Sequence, residues 1–236
     1  SCSSAWKPAG LVAAREEARG LHALTLDVGD VAAGYSRPGQ FVQLRVDGSK
    51  PAFIAIASPP AEAASGNIEL LVKEGEGTAG QLCELGPGGS GLEVSPVMGK
   101  GFPTEEAPAH VLLVCTGSGI SPIRALVESG ELDLPEKEAV TLCYGVRNED
   151  FMPYVQKLNE EWPALGIKVV PVHSQPKSGW GGAAGYVQEA LRADAENLGD
   201  PAQLAAFAVG QKGMVEGLKE VFEQLGAPTD RVFLNF

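Results

Sequence analysis

The stretch Val114-Cys115-Thr116-Gly117-Ser118-Gly119-Ile120-Ser121-Pro122 takes an unbroken apolar run, His110–Cys115, into a glycine-rich turn and then into a proline suited to the first turn of a helix. A buried strand followed by such a turn and a helix builds an anion site. The first helical N–H groups have no intrahelical partner, the helix dipole is positive at that end, and glycine lets a diphosphate approach the backbone. Two readings are open from the turn alone: a nucleotide cradle or a plain strand–helix connection. Three other loops are excluded by residue type. The stretch has no Gly-Lys-Ser/Thr, Pro122 holds the place of the third glycine in GxGxxG, and Thr116 replaces the leading glycine of GxSxG, so Ser118 is no nucleophile elbow.

The rhythm downstream of this turn gives the fold class. After His110–Cys115 and a helix-like Pro122–Ser129, the chain reads strand at Val140–Tyr144, helix at Glu149–Glu161, strand at Ile167–Val172, helix at Tyr186–Ala193, strand at Ala205–Val209, helix at Gly213–Leu225 and strand at Arg231–Leu234. Alternation of this kind means βαβ units and a five-stranded parallel sheet covered on both faces. Three later strand ends carry polar or glycine-rich features: Tyr144-Gly145-Val146-Arg147, His173-Ser174-Gln175 and Val209-Gly210-Gln211-Lys212-Gly213-Met214. Ligands of open α/β sheets bind at these carboxyl ends, so the features converge on one crevice and favour the nucleotide reading over ordinary loop glycines.

Upstream the apolar runs are short and cut by Gly and Pro. Leu21–Val28, Gln40–Val46, Phe53–Ala57, Ile68–Lys73 and Gly91–Val94 read as strands of a small antiparallel barrel, with one short helix at Thr78–Leu85. The acidic, Pro-containing Thr104–Pro108 marks the boundary between a first domain, residues 1–103, and a second, 104–236.

Composition narrows the function. The 236 residues carry 18 Lys+Arg against 30 Asp+Glu, a net charge of −12, which excludes an electrostatically driven nucleic-acid binder. No apolar run approaches the ~20 residues that span a bilayer. Cys2, Cys83, Cys115 and Cys143 form no CxxC pair, and His22, His110 and His173 have no metal-ligand spacing, so no metal site is expected; Cys115 and Cys143 read as core thiols. The Ser-rich start, Ser1-Cys2-Ser3-Ser4, is compatible with the remnant of a transit peptide.

The order of motifs (a small barrel, Thr-Gly-Ser-Gly-Ile-Ser-Pro at 116–122, a Tyr-Gly-x-Arg strand end, Gly185-Tyr186-Val187, Gly210-x-Lys212-Gly213-Met214 and a terminal aromatic) resembles the ferredoxin–NADP+ reductase superfamily, and most closely its plant and algal plastid "fruit protein" branch. The resemblance runs from about Arg37 to Phe236. It implies an FAD-binding barrel over 1–103 and an NAD(P)-binding α/β domain over 104–236. It also implies hydride transfer from the nicotinamide C4 of NAD(P)H to the flavin N5, electron delivery to an acceptor it does not identify, and a plastid location. Carried over by position, Thr116, Gly117, Ser118, Gly119 and Pro122 line the dinucleotide's diphosphate and ribose, with Gly210, Lys212 and Met214 opposite. Ser174 and Tyr186 match contacts to an adenosine 2′-phosphate. Gln175 and Ala184 stand where two basic partners are expected, with Arg147 or Lys177 as substitutes, so both NADH and NADPH stay open.

On the flavin side the resemblance places Gly77, Thr78 and Ala79 on the FAD diphosphate and Leu71, Val72 and Lys73 along the flavin and ribityl chain. Ile54, Ala55, Ile56 and Ser58 belong to the segment that packs on the ring, and Phe236 matches the terminal aromatic. That segment departs from the family's Arg-x-Tyr-Ser. Ala52 stands for the Arg, Ile54 for the Tyr and Ala55 for the hydroxyl residue, while Val209 replaces a cysteine beside the nicotinamide. Two functions follow as expectations: a flavin-dependent NAD(P)H oxidoreductase, or a reductase-like binding or regulatory subunit within a larger assembly, with weakened flavin chemistry. The acidic surface predicts weak binding to an acidic carrier such as a ferredoxin.

Overall fold

The computed structural model describes residues 6–235, so Phe236 and the first five residues, Cys2 among them, lie outside the described residues. Seven strands build the first unit: β1 (Lys7–Pro8), β2 (Gly10–Ala18), β3 (Leu21–Asp27), β4 (Phe41–Val46), β5 (Ala52–Ala55), β6 (Asn67–Lys73) and β7 (Leu92–Val94), with α1 (Thr78–Glu84) between the last two. They form two antiparallel sheets, β1-β7-β4-β5 and β2-β3-β6, joined by a bridge between Ile56 and Leu70. Alternation drives the fold here. Val42, Leu44 and Val46 point inward from β4, where they meet Leu24 and Leu26 of β3, Ile68 and Leu70 of β6, and Leu82 of α1.

The second unit is a parallel sheet of six strands in the order β11-β10-β9-β8-β12-β13: β8 (His110–Thr116), β9 (Ala139–Val146), β10 (Ile167–His173), β11 (Ala183–Ala184), β12 (Leu204–Val209) and β13 (Val232–Leu234). The helices are α2 (Ile120–Glu128), α3 (Trp162–Ala164), α4 (Val187–Ala193) and α5 (Lys212–Leu225). β8 and β12 are adjacent although three strands intervene in sequence, so chain direction across the sheet reverses between them, and a crevice opens at their carboxyl ends.

Three expectations need correction. The sheet has six strands rather than five, because the two-residue β11 pairs with the end of β10; a strand this short between glycines leaves no periodicity to read. β2 carries no strand signal in the sequence, because Gly10–Ala18 is rich in Ala and charged residues and Leu11 is its only fully buried residue. Its partner β3 supplies the apolar face of that pair. The helix expected at Glu149–Glu161 is instead a 3-10 turn at Glu149–Phe151 followed, after a break, by helical residues 155–164 with a π segment at Lys157–Glu161. Pro153 lacks an N–H and disfavours helix at Met152, and Tyr154 takes a positive φ of 56°.

The two units share a core. Leu21, Ala23, Leu71 and Phe102 of the first pack in one cluster with Leu113, Ile120, Ile123, Leu126, Tyr144 and Phe207 of the second. α2 lies between barrel and sheet and is buried from Ile120 to Val127. At its middle Arg124 ion-pairs with Glu69 of β6 and, at 3.0 Å, with Glu128, and its guanidinium carbon stands 4.9 Å from the Tyr154 ring centroid. Glu17 of β2 accepts the Tyr154 N–H at 3.2 Å and fixes that left-handed residue. Behind the sheet, Leu112, Val114, Val172, Leu191, Leu218 and Phe222 form the opposite apolar layer.

Candidate functional site

The turn after β8 is held by packing that tolerates no side chain at one position and leaves space at another. A Cβ on Gly119 would lie 2.7 Å from the Val209 carbonyl oxygen, so glycine lets the turn sit against the end of β12. Gly210 is constrained likewise: its Cβ would meet Met214 Sδ at 2.6 Å and Thr116 Oγ1 at 3.1 Å. Gly117 has φ +53° and nothing within 4 Å of where a Cβ would stand, so its backbone faces open cleft. The Tyr144 hydroxyl donates to the Gly117 carbonyl at 2.9 Å and pins the turn from below.

In front of this turn lies a cleft of 1380 Å3 between barrel and sheet. Its sheet-side wall includes Thr116, Gly117, Ser118, Gly119, Pro122, Gly210 and Met214, as well as Arg147, Ser174 and Tyr186 at the ends of β9 and β10 and before α4. Its barrel-side wall includes Ile54, Ala55, Leu71, Val72, Lys73 and Ala79. Sixteen of the positions singled out from sequence therefore meet in one cavity.

Five others in the described region face elsewhere. Ile56 is fully buried in the barrel core. Ser58 is buried too, its Oγ accepting the Glu69 N–H at 2.9 Å. Gly77 is absent from the cleft wall, and Thr78 spends its hydroxyl on the Lys50 carbonyl at 2.6 Å, tying α1 to the turn after β4. The Lys212 side chain is 88% exposed and paired with Glu216 at 3.4 Å. In an antiparallel strand only alternate side chains share a face, and a reading by motif position does not resolve which.

Several wall residues carried no signal in the sequence. Phe53 is 66% exposed on β5, lines the cavity and pairs with Phe41 at 6.0 Å between centroids. Arg19, at the β2–β3 turn, and Phe151 enter from opposite units. The charged residues on the wall are Arg19, Lys73, Arg147 and Glu74, so a chain of net charge −12 presents three cations and one carboxylate here. Such a wall attracts an anionic ligand. At the edge of the site His173 is fully buried with its ring stacked on Trp180, 3.6 Å between centroids, and burial lowers its pKa. Burial likewise raises the Cys143 thiol to about 12 and the Cys115 thiol well above its ordinary value, so both are inert core groups. Among the described residues no cluster of three or more His, Cys, Asp or Glu could hold a metal, and no helix is long and apolar enough to cross a membrane.

Residues 113–220 match the family model described as an oxidoreductase NAD-binding domain. The chain is 31% identical to the fruit protein pKIWI502 of Actinidia deliciosa over 87% of its own length and 68% of that protein. The chain belongs to the ferredoxin–NADP reductase-like superfamily of oxidoreductases. It is also 31% identical to ferredoxin–NADP reductase B of Sorangium cellulosum, over 96% of both chains. Among solved structures, the ferredoxin NADP+ reductase of Neisseria gonorrhoeae with bound FAD and NADP superposes with a TM-score of 0.75 at 17% identity, covering 94% of this chain and 92% of that one. The match with the Sorangium enzyme extends beyond the Arg37–Phe236 span on which the motifs alone rest.

Proposed function

We propose that this chain is an FAD-dependent NAD(P)H oxidoreductase, with residues 1–103 holding the flavin, residues 104–236 holding the nicotinamide nucleotide, and electrons passing to a further acceptor. The observation that carries this reading is the single cleft whose two walls come from the two units. One wall offers an open glycine backbone with cations nearby, which suits a diphosphate. The other is mainly apolar, from Ala52, Phe53, Ile54, Ala55, Leu71 and Val72, which suits a planar ring.

The residues present fit both groups. On the barrel, Ile54, Ala55, Leu71 and Val72 supply the aliphatic face for an isoalloxazine, with Phe53 at its rim. Opposite, Gly117 leaves room that a side chain would fill, and the turn's N–H groups would hold the dinucleotide's diphosphate. When bound, a flavin supplies hydride acceptance and onward electron transfer. The protein's own part would be placement, holding both groups in one cleft and excluding water between them, which accounts for most of what catalysis needs from a scaffold in such a reaction. No acid or base is required at the wall. Ala55 is therefore compatible with turnover, though it cannot donate a hydrogen bond.

A second reading, a binding or regulatory subunit with weakened flavin chemistry, is favoured by Ala52 and Ala55, which together remove a charge-assisted contact and a hydroxyl from the barrel wall. An absorption spectrum of the purified chain after incubation with FAD separates the two. The oxidoreductase reading expects flavin bands that survive desalting and bleach anaerobically with NADPH or NADH. A protein that keeps no flavin, or whose flavin neither nucleotide reduces, sinks it.

A further inference from the structure

We propose that residues 174–186 form a pH-gated strap at the edge of the cleft: Trp180 latches it onto His173, and protonation of the imidazole releases it and weakens dinucleotide binding. This adds regulation to the reading of the cleft as a dinucleotide site, and rests on that reading.

The strap runs from the end of β10 to the start of α4. Both its roots lie on the cleft wall, Ser174 at one end and Gly185 and Tyr186 at the other. From Ser174 to Gly182 every residue but Trp180 is exposed, so a single side chain turns inward. The indole lies on the His173 ring, 3.6 Å between centroids and 17° from parallel, and its Nε1 donates to the Ala183 carbonyl at 2.9 Å. A Cβ on Gly182 would come 2.4 Å from the indole, so the backbone folds closely around it. The far root is tied to the sheet by β11 and by the Gly185 N–H, which donates to the His173 carbonyl at 3.0 Å. Lys177 adds an exposed tie, reaching Asp150 at 2.6 Å and Glu149 at 3.4 Å.

The latch is an imidazole with no partner for a charge. His173 is fully buried, and neither ring nitrogen has a hydrogen-bond partner among the described residues. Burial without a partner disfavours the ionised form. The charged groups on the surrounding elements are engaged elsewhere. Arg147 lies over the Phe151 ring at 4.7 Å, Glu149 and Asp150 hold Lys177, and Glu189 of α4 accepts the Tyr186 N–H at 3.0 Å. Glu149 alone among the carboxylates comes within 4 Å of a ring nitrogen, at 3.8 Å from Nδ1, too far for a hydrogen bond. Burial accordingly lowers the His173 pKa, with Glu149 pulling weakly the other way.

The direction of the gate follows from linkage. A latched strap holds the second proton less tightly than an open one, whose imidazole meets water and titrates near its ordinary ~6.5. The strap is therefore fully latched above that value, and its open population rises as pH falls through it. Opening withdraws Ser174, Gly185 and Tyr186 from the wall, so the binding-competent fraction falls with it.

The test is hydrogen exchange of segment 174–186 at about pH 5.5 and about pH 7.5, either side of the imidazole's ordinary value. Rates are corrected for intrinsic exchange and compared between the parent, His173→Phe and Trp180→Ala. The parent strap is expected to open roughly 3- to 10-fold more at the lower pH, the upper figure being the limit for one imidazole with no affinity for the proton when latched. His173→Phe, which keeps a ring under the indole, should show no difference, and Trp180→Ala should exchange fast at both. Titration with NAD+ and NADP+ at both pH values should show an acid-side loss of affinity in the parent that His173→Phe lacks; the comparison cancels any titration of the nucleotide itself. Equal opening of the parent at both pH values overturns the latch, as does the same pH response in parent and His173→Phe. Slower exchange in acid also overturns it, since Glu149 would then be closing on the imidazolium. Opening without any loss of affinity overturns the coupling to the cleft. Failure of both nucleotides to bind at either pH sinks the dinucleotide reading, and the exchange rates still decide the latch.

Discussion

The two walls of the cleft are built on opposite rules. On the sheet side the wall is made of backbone: glycines where an added Cβ would meet a neighbour at 2.7 Å or less, a hydroxyl pinning a carbonyl, and a turn that opens on the cleft. On the barrel side the wall is made of side chains, and those at 52, 54 and 55 are Ala, Ile and Ala. Main-chain groups cannot be lost by substitution, whereas an arginine or a hydroxyl can. The sheet-side motif therefore stays recognisable while the flavin motif degenerates, although both face the same space.

That contrast can be broken most severely at the joint. Arg124 ties α2 to β6 with its side chain only 8% exposed, so Arg124→Ala should cost about 1–3 kcal/mol by leaving Glu69 to Arg15 alone, at 3.6 Å, and Glu128 to Lys157 alone, at 2.7 Å. Chemical denaturation measures it, and a loss under 1 kcal/mol would mean that the ion cluster does not hold the walls in register. Next, Gly119→Ala drives a Cβ into the Val209 carbonyl and should weaken dinucleotide binding by roughly 10- to 100-fold, matching an overpacking cost of about 1–3 kcal/mol. Phe53→Ala, on the opposite wall, should leave that affinity unchanged. Titration of both variants with NADP+ sharpens the comparison, and equal responses would refute the division of labour. On the barrel, Ala55→Ser restores a hydroxyl worth about 0.5–1.5 kcal/mol, so FAD affinity read by fluorescence quenching should rise by a few-fold. No change would mean that the ring lies elsewhere. The smallest effect concerns His173. Burial favours its neutral form, so the folded pKa is depressed, and its contribution to stability is complete above the unfolded value of ~6.5 and is lost as pH falls below it. His173→Phe should keep the stack on Trp180 and flatten the fall in melting temperature between neutral and mildly acidic pH; an unaltered slope would exclude His173 as its source.

The sequence carried the parallel sheet almost completely, because buried strands read as continuous apolar runs and each ends on a glycine or polar signal. It carried the barrel less well. β2 is an edge strand with a wet face, and nothing in Gly10–Ala18 but Leu11 announces burial. The cleft wall was legible where it is made of backbone, as at Gly117, Gly119 and Gly210. It was not legible where residues distant in sequence meet. Arg19 and Phe151 are separated by more than half the chain, and their shared position is a product of the shared core rather than of any local pattern. Ile56 and Ser58 show the complementary error: a motif gives the segment, and only the pleat gives the facing.

The burial of α2 on every side has a practical corollary for protein engineers. A cut in the linker near residues 104–108 would leave each fragment with a raw greasy surface in place of a finished exterior. The lobes are therefore poor candidates for shuffling between homologues, and co-expressed halves should find each other and reassemble without any added dimerisation tag.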